Sequence, residues 1–167
     1  MSYYIIIRGP LGCGKSTIAK KISKILNAKY ISMDEIVDNN RIIKKPDKNG
    51  MIDVRNFLQA NKILLPTAIK YLEKNNVVII DGCFYHKKQI IYLMNKLNPY
   101  KVYIFDLIAP LEVCIERDKN RNNCFGKDAA KAVYNAVSKF SMGTRIDTTK
   151  KIPTETIKEI LRYLPRQ

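Results

Sequence analysis

The chain has 167 residues, 46% of them apolar, which is enough for one sizeable core and short for several domains. A formal charge of +15 draws polyanions, nucleic acid among them, although a lysine-rich surface from a compositionally biased genome also explains it, given the abundant Ile and Asn. No apolar run approaches the roughly 20 residues of a membrane span, no targeting segment precedes the first strand, and Cys13, Cys83, Cys114 and Cys124 form no C-x-x-C pair; with one histidine, this argues against a zinc site and fits a reducing cytoplasm.

The apolar run from Tyr3 to Arg8 reads as a strand. Directly behind it stands Gly9-Pro10-Leu11-Gly12-Cys13-Gly14-Lys15-Ser16-Thr17, which fits G-x-x-x-x-G-K-[ST] without a gap. Residues 15–26 then carry helical spacing, with Ile18, Ile22, Ile25 and Leu26 on one face. Strand, glycine loop and helix in this order make a phosphate cradle. The glycines let successive N–H groups converge on phosphate oxygens, and the helix N-terminus favours an anion. Lys15 then reaches the β- and γ-phosphates, and Ser16 holds Mg²⁺.

A short strand over 29–32 is followed by a helical or irregular stretch to about Lys45 and a turn cluster, Pro46 to Gly50. Residues 53–74 are helical, with a possible kink at Pro66. Val77-Val78-Ile79-Ile80-Asp81 is a continuous apolar run ended by a carboxylate, the mark of a strand covered on both faces. Asp81 therefore has the Walker B form and is placed to share Mg²⁺ with Ser16, or else caps the turn. A helix over 87–97, a strand over 102–107, a helix over 111–118, a polar segment over 117–127, a helix over 128–140, a short strand over 143–147 and a helix over 153–163 complete the chain. Alternating strands and helices predict a three-layer αβα fold with a five-stranded parallel sheet in a single domain, 1–167, and ligand at the carboxyl ends of the strands.

Taken together, the residues resemble the P-loop kinase superfamily. The similarity is to small phosphotransferases of the shikimate, gluconate and chloramphenicol type, to polynucleotide 5′-kinases and to kinases acting on seryl-tRNA. It covers nearly the whole chain in order and implies a short helical lid, about 117–135. It also implies that Asp34, after the second strand, faces the acceptor hydroxyl and takes its proton; the plainer reading is a helix cap. Arg117 and Arg121, four apart and so on one helix face, match the lid arginines that close over the phosphates; a solvated, salt-bridged helix end is the alternative. Asp147 and Thr148 match the loop beside the adenine.

The expected activity is ATP- and Mg²⁺-dependent phosphoryl transfer to a hydroxyl of a small metabolite, nucleoside or nucleic-acid end. A nucleotide-dependent ATPase switch is the alternative. The H-R-D and D-F-G motifs of protein kinases, the N-K-x-D guanine motif and the acceptor arginines of adenylate kinases are absent. Tyr85 and His86 lie where an acceptor pocket is expected, as do Arg41, Lys44, Lys45 and Arg55, each of which is otherwise ordinary surface. No membrane partner is expected, and the protein is expected in the cytoplasm as a monomer or homodimer.

Overall fold

The computed structural model describes residues 2–40, 42, 46–47, 51–121 and 124–165. Among the described residues five strands form one parallel sheet in the order β2-β3-β1-β4-β5. They are β1 (Tyr3–Arg8), β2 (Lys29–Ser32), β3 (Val78–Gly82), β4 (Lys101–Ile108) and β5 (Thr144–Asp147). The helices are α1 (Lys15–Ile25), α2 (Met33–Asn39), α3 (Val54–Glu73), α4 (Lys87–Lys96), α5 (Leu111–Lys119), α6 (Lys127–Val137) and α7 (Pro153–Leu161). The expected αβα layering and parallel sheet are both present.

The period of two along the strands sorts the core into two layers. Tyr4 and Ile6 of β1 and Val78 and Ile80 of β3 pack with Val37 of α2, Leu64 and Leu72 of α3, and Ile90 and Leu93 of α4. Their neighbours Tyr3, Ile5, Ile7 and Ile79 pack on the other face with Ile18 and Ile22 of α1, Cys114 of α5, and Ile157 and Ile160 of α7. The central strands β1 and β3 are buried at every position, as their unbroken apolar runs require.

The helix expected over 53–74 is present as α3, which runs through Pro66 from Val54 to Glu73. Pro66 and Lys62, whose carbonyl loses its partner to the proline, both lie on the exposed side, open to solvent. One expectation changes. The helix expected over 128–140 ends at Val137 instead. The chain leaves it because the Val137 and Phe140 carbonyls are drawn to the Arg8 guanidinium, at 2.9 and 3.0 Å. The proposed acceptor contacts Arg41, Lys44 and Lys45, part of the 46–50 turn and two residues of the 117–135 lid fall outside the described residues.

Candidate functional site

Asp34 and Asp81 sit at or just beyond the carboxyl ends of β2 and β3, and Arg117 and Arg121 come from the end of α5 and the chain just after it. The loop Gly9–Gly14 links β1 to α1, and its turn is built on positive φ at Gly12 (76°) and Gly14 (91°). At Gly12 the space is closed as well: a Cβ would stand 2.0 Å from the Cys114 carbonyl oxygen. That close approach seats the loop against α5 and excludes any side chain at Gly12.

A cleft of about 250 Å³ opens over the loop, lined by Gly12, Gly14, Lys15, Ser16, Thr17, Arg117 and Arg121. Lys15 is buried, with Nζ 3.4 Å from the Pro10 carbonyl. Burial opposes its charge, but the neighbouring Cys83, Cys13, Asp34 and Asp81 outweigh that and hold the ammonium above its ordinary range.

Asp81 lies on the α1-facing side of β3, opposite Ile7 of β1 and Ser32 of β2. Its Oδ2 accepts from the Ser16 hydroxyl at 2.6 Å and its Oδ1 from the Tyr30 hydroxyl at 2.8 Å. Burial pushes the Asp81 carboxyl up, more than the bonds from Ser16 and Tyr30 and the charge of Lys15 pull it down. A hydroxyl and a carboxylate in contact suit a hard cation that takes its remaining ligands from phosphate and water, as Mg²⁺ does. Among the described residues no group of three or more His, Cys, Asp or Glu side chains could hold a metal by itself.

The raised value has a consequence for stability. A carboxyl with a folded pKa above its unfolded one stabilises fully below the unfolded value and loses that contribution as pH rises through the folded one. At neutral pH the Asp81 charge therefore opposes folding of the nucleotide-free protein. Asp81→Asn is expected to keep or raise the melting temperature at pH 7.5 while abolishing Mg²⁺-dependent turnover. A lower melting temperature in a thermal scan would contradict this.

Asp34 is exposed in the first turn of α2. The cap of that helix is Ser32, whose Oγ accepts from the Glu35 amide at 3.3 Å, so Asp34 is spared the capping role. It is near enough to Lys15, Asp81 and Cys83 to act on the charge of each. Burial pushes the Cys83 thiol up to about 11, leaving it protonated beside Lys15.

The two arginines differ. Arg117 donates from Nη1 to the Thr148 hydroxyl at 3.1 Å, and from Nη2 to the Thr148 and Thr149 carbonyls at 2.8 and 3.1 Å. The Thr148 hydroxyl lies 3.3 Å from the Cys13 carbonyl, so Arg117, the loop after β5 and the phosphate loop form one network. Beside it lies a cleft of about 280 Å³ whose walls include Thr17, Ile18, Arg117, Thr148, Ile152 and Pro153. Asp147 is turned back on its own loop and accepts from the Thr149 amide at 2.8 Å. Arg121 is half exposed at the phosphate cleft, with Nη1 3.4 Å from Asp118 and its guanidinium 5.7 Å from the centre of the Phe125 ring.

Just beyond β3, Tyr85 stacks edge-on against Phe57 at 5.2 Å, and His86 Nε2 lies 2.8 Å from the Ile52 carbonyl. Arg55 is committed to Asp53 through two contacts, at 3.0 and 3.2 Å.

Reading the sequence missed Arg8, Asp106, Tyr30 and Asp118. Arg8 and Asp106 carried a usable signal, since a charged residue inside an otherwise buried strand must find a partner. Tyr30 and Asp118 carried none, because their partners are set by folding.

This arrangement of parallel sheet, phosphate loop, carboxylate on the neighbouring strand and arginine-bearing helix is a kinase-type P-loop fold. The chain belongs to the family described as an AAA domain, whose model matches residues 5–141. It is 28% identical over 158 residues to a bifunctional shikimate kinase/3-dehydroquinate synthase of Thermotoga maritima, covering 91% of this chain and 30% of that protein. It is 29% identical over 129 residues to an adenylate kinase of Thermococcus sibiricus, covering 72% of this chain and 56% of that protein. It thus spans from under a third to a little over half of these relatives' lengths. A gluconokinase from Sinorhizobium meliloti superposes with a TM-score of 0.73 at 14% identity, over 96% of this chain and 90% of that one. A sugar kinase from Janibacter does so with 0.75 at 16%, over 98% and 94%. At such identities the structural likeness speaks for the fold. Among the described residues no helix is long and apolar enough to cross a membrane.

Proposed function

We propose that this protein transfers the γ-phosphoryl group of ATP to a hydroxyl of a small metabolite, nucleoside or nucleic-acid end. The observation that carries this reading is that Lys15, Ser16 and Arg121 line one cleft, with Asp81 bonded to Ser16 and Asp34 close enough to act on Lys15 and Asp81. This grouping supports the reading, because phosphoryl transfer needs little beyond positioning and charge neutralisation.

Residues 9–17 cradle the phosphates, with the loop amides and Lys15 as donors. Ser16 and Asp81 would hold Mg²⁺, which would supply charge neutralisation. Asp34 accepts the hydrogen bond of the acceptor hydroxyl, orients it for in-line attack and takes its proton as the new P–O bond forms and the γ-phosphorus bond to the bridging oxygen breaks, releasing ADP. Arg121 stabilises charge on the transferring group. Arg117 belongs to the same closing face, but its bonds to Thr148 and Thr149 suit it to walling the base. The adjoining cleft with Thr148, Ile152 and Pro153 fits an adenine there, with Asp147 shaping the loop.

Transfer of labelled γ-phosphate tests the reading. The panel pairs sugars, hydroxyl metabolites and nucleosides with 5′-hydroxyl RNA and DNA, tRNA and AMP, beside a no-acceptor control. Label in one hydroxyl class, reduced about 10²-fold or more by Asp34→Asn, is expected for loss of a general base. Label in AMP would move the acceptor from an alcohol to a phosphate. Free phosphate in every lane, unchanged by the variant, would leave a nucleotide-driven switch. With an RNA or DNA acceptor, binding should weaken steeply with salt; with a neutral metabolite it should not.

A further inference from the structure

Asp118 is a charged side chain with 1% exposure at the end of α5, close to the phosphate cleft and not itself lining it. Its Oδ2 accepts from the Phe125 amide at 2.9 Å and from the Gly126 amide at 3.3 Å. Gly126 is the residue that precedes α6 and offers no side-chain cap. The carboxylate therefore ties the end of α5 to the chain entering α6, through the two amides just before that helix. Its other oxygen, Oδ1, lies 3.4 Å from Nη1 of Arg121. The Arg121 side chain is 46% exposed while that of Asp118 is 2% exposed, so the anchored partner is the acid and the held partner is the arginine.

We infer that Asp118 is a positioning residue that aims the Arg121 guanidinium at the phosphate cleft. The inference rests on the kinase reading, in which Arg121 meets phosphate. An unanchored arginine on an exposed helix end samples many rotamers, and ordering it on binding costs affinity. A buried carboxylate, already fixed by two backbone amides, restricts that sampling before any ligand arrives. It occupies one edge of the guanidinium fork and leaves the rest to donate to phosphate. The same acid also explains why Arg121 and α6 keep a fixed relation: both hang from one side chain.

The test is a double-mutant cycle on nucleotide affinity in the full chain. Calorimetry measures binding of AMP-PNP with Mg²⁺ to the unaltered protein, Asp118→Asn, Arg121→Ala and the double variant, with Lys15→Ala alongside. Asn retains an acceptor for the Phe125 and Gly126 amides and removes the charge that holds the arginine. Asp118→Asn and Arg121→Ala are each expected to raise Kd about five-fold, and the double variant to bind no worse than Arg121→Ala, as coupled neighbours do. Losses that multiply in the double variant, or an unchanged Kd in Asp118→Asn beside a weakened Arg121→Ala, overturn the inference. An unchanged Kd in Arg121→Ala overturns it too, by removing the phosphate role of Arg121; weakened binding by Lys15→Ala in that case leaves the kinase reading standing. If Asp118→Asn melts early, Asp118→Glu, which keeps the charge, takes its place. Restored affinity with Glu supports positioning by charge, and affinity as poor as that of Arg121→Ala opposes it.

Discussion

Replacing Arg8 by Met is expected to lower the unfolding free energy by about 3–5 kcal/mol, the usual cost of stripping one partner from a buried ion pair. Arg8 ends β1 with 1% exposure, one residue before the phosphate loop. It is directly opposite Asp106 of β4, and Nη1 meets Oδ1 at 2.9 Å. The remaining donors reach the Phe84, Val137 and Phe140 carbonyls, and the guanidinium lies 4.4 Å from the Phe140 ring centre. Asp106 in turn accepts from the Ser141 hydroxyl and from the Met142 and Gly143 amides. Without the arginine, a buried carboxylate keeps three donors and loses its counter-charge, while three carbonyls lose theirs. Typical domains have only about 5–15 kcal/mol in hand, so urea denaturation should show a large fall in midpoint. A loss below about 1 kcal/mol would mean the pair is worth no more than a surface contact. The double change Arg8→Met with Asp106→Asn is expected to recover part of the loss, because no buried charge then stands alone.

The same pair predicts an acid limit. Burial pushes the Asp106 carboxyl up, but the bonds from Ser141, Arg8 and the Met142 amide outweigh it and hold it below its ordinary 3.8. A lowered folded value means that the contribution to stability is complete above the unfolded value and is lost as pH falls through the folded one. Acid denaturation drawing on Asp106 therefore lies below about pH 4, and the stability gap between the unaltered protein and Asp106→Asn should close there.

The second large effect falls on Lys15. Lys15→Met is expected to lower phosphoryl transfer about 10³-fold, the scale of removing a charge aimed at the transition state. The fold should survive. Lys15 is 5% exposed and its hydrogen bond to the Pro10 carbonyl is long at 3.4 Å, so a Met of similar reach fills the space without orphaning a strong partner there. Circular dichroism and a melting curve should match the unaltered protein while γ-phosphate transfer collapses. Activity within ten-fold of the unaltered protein would remove Lys15 from the chemistry. Coincident loss of structure would shift its role to folding.

The site was legible in unequal parts. Residues 9–17 were readable because a phosphate cradle needs local backbone geometry, and contiguous residues encode it: Gly12 and Gly14 take the positive φ that the pattern demands. Asp81 was readable because its strand is apolar until the point where it must stop. The contact of Ser16 with Asp81 spans 65 positions and was expected only through the shared ion. The different employment of Arg117 and Arg121 was not readable. Both were expected over the phosphates, yet Thr148 and Thr149 of a loop about 30 residues away engage Arg117 and leave Arg121. The helix expected to 140 ended at 137 for the same kind of reason: local spacing favoured continuing, and Arg8, 129 positions away, drew the carbonyls off.

The amino-acid sequence alone determined what is set by near neighbours: the two-residue period that buries β1 and β3 on both faces, the alternation of strands and helices, and the phosphate loop. Tertiary structure alone decided the strand order β2-β3-β1-β4-β5 and, with it, the partners of the buried charges. Only once β1 lies between β3 and β4 does Arg8 stand opposite Asp106 and Asp81 opposite Ile7, with Ser16 in reach. Local propensity carries no information about which strands become neighbours. That choice follows from burying both faces of the sheet at once while leaving no charge in the interior without a partner.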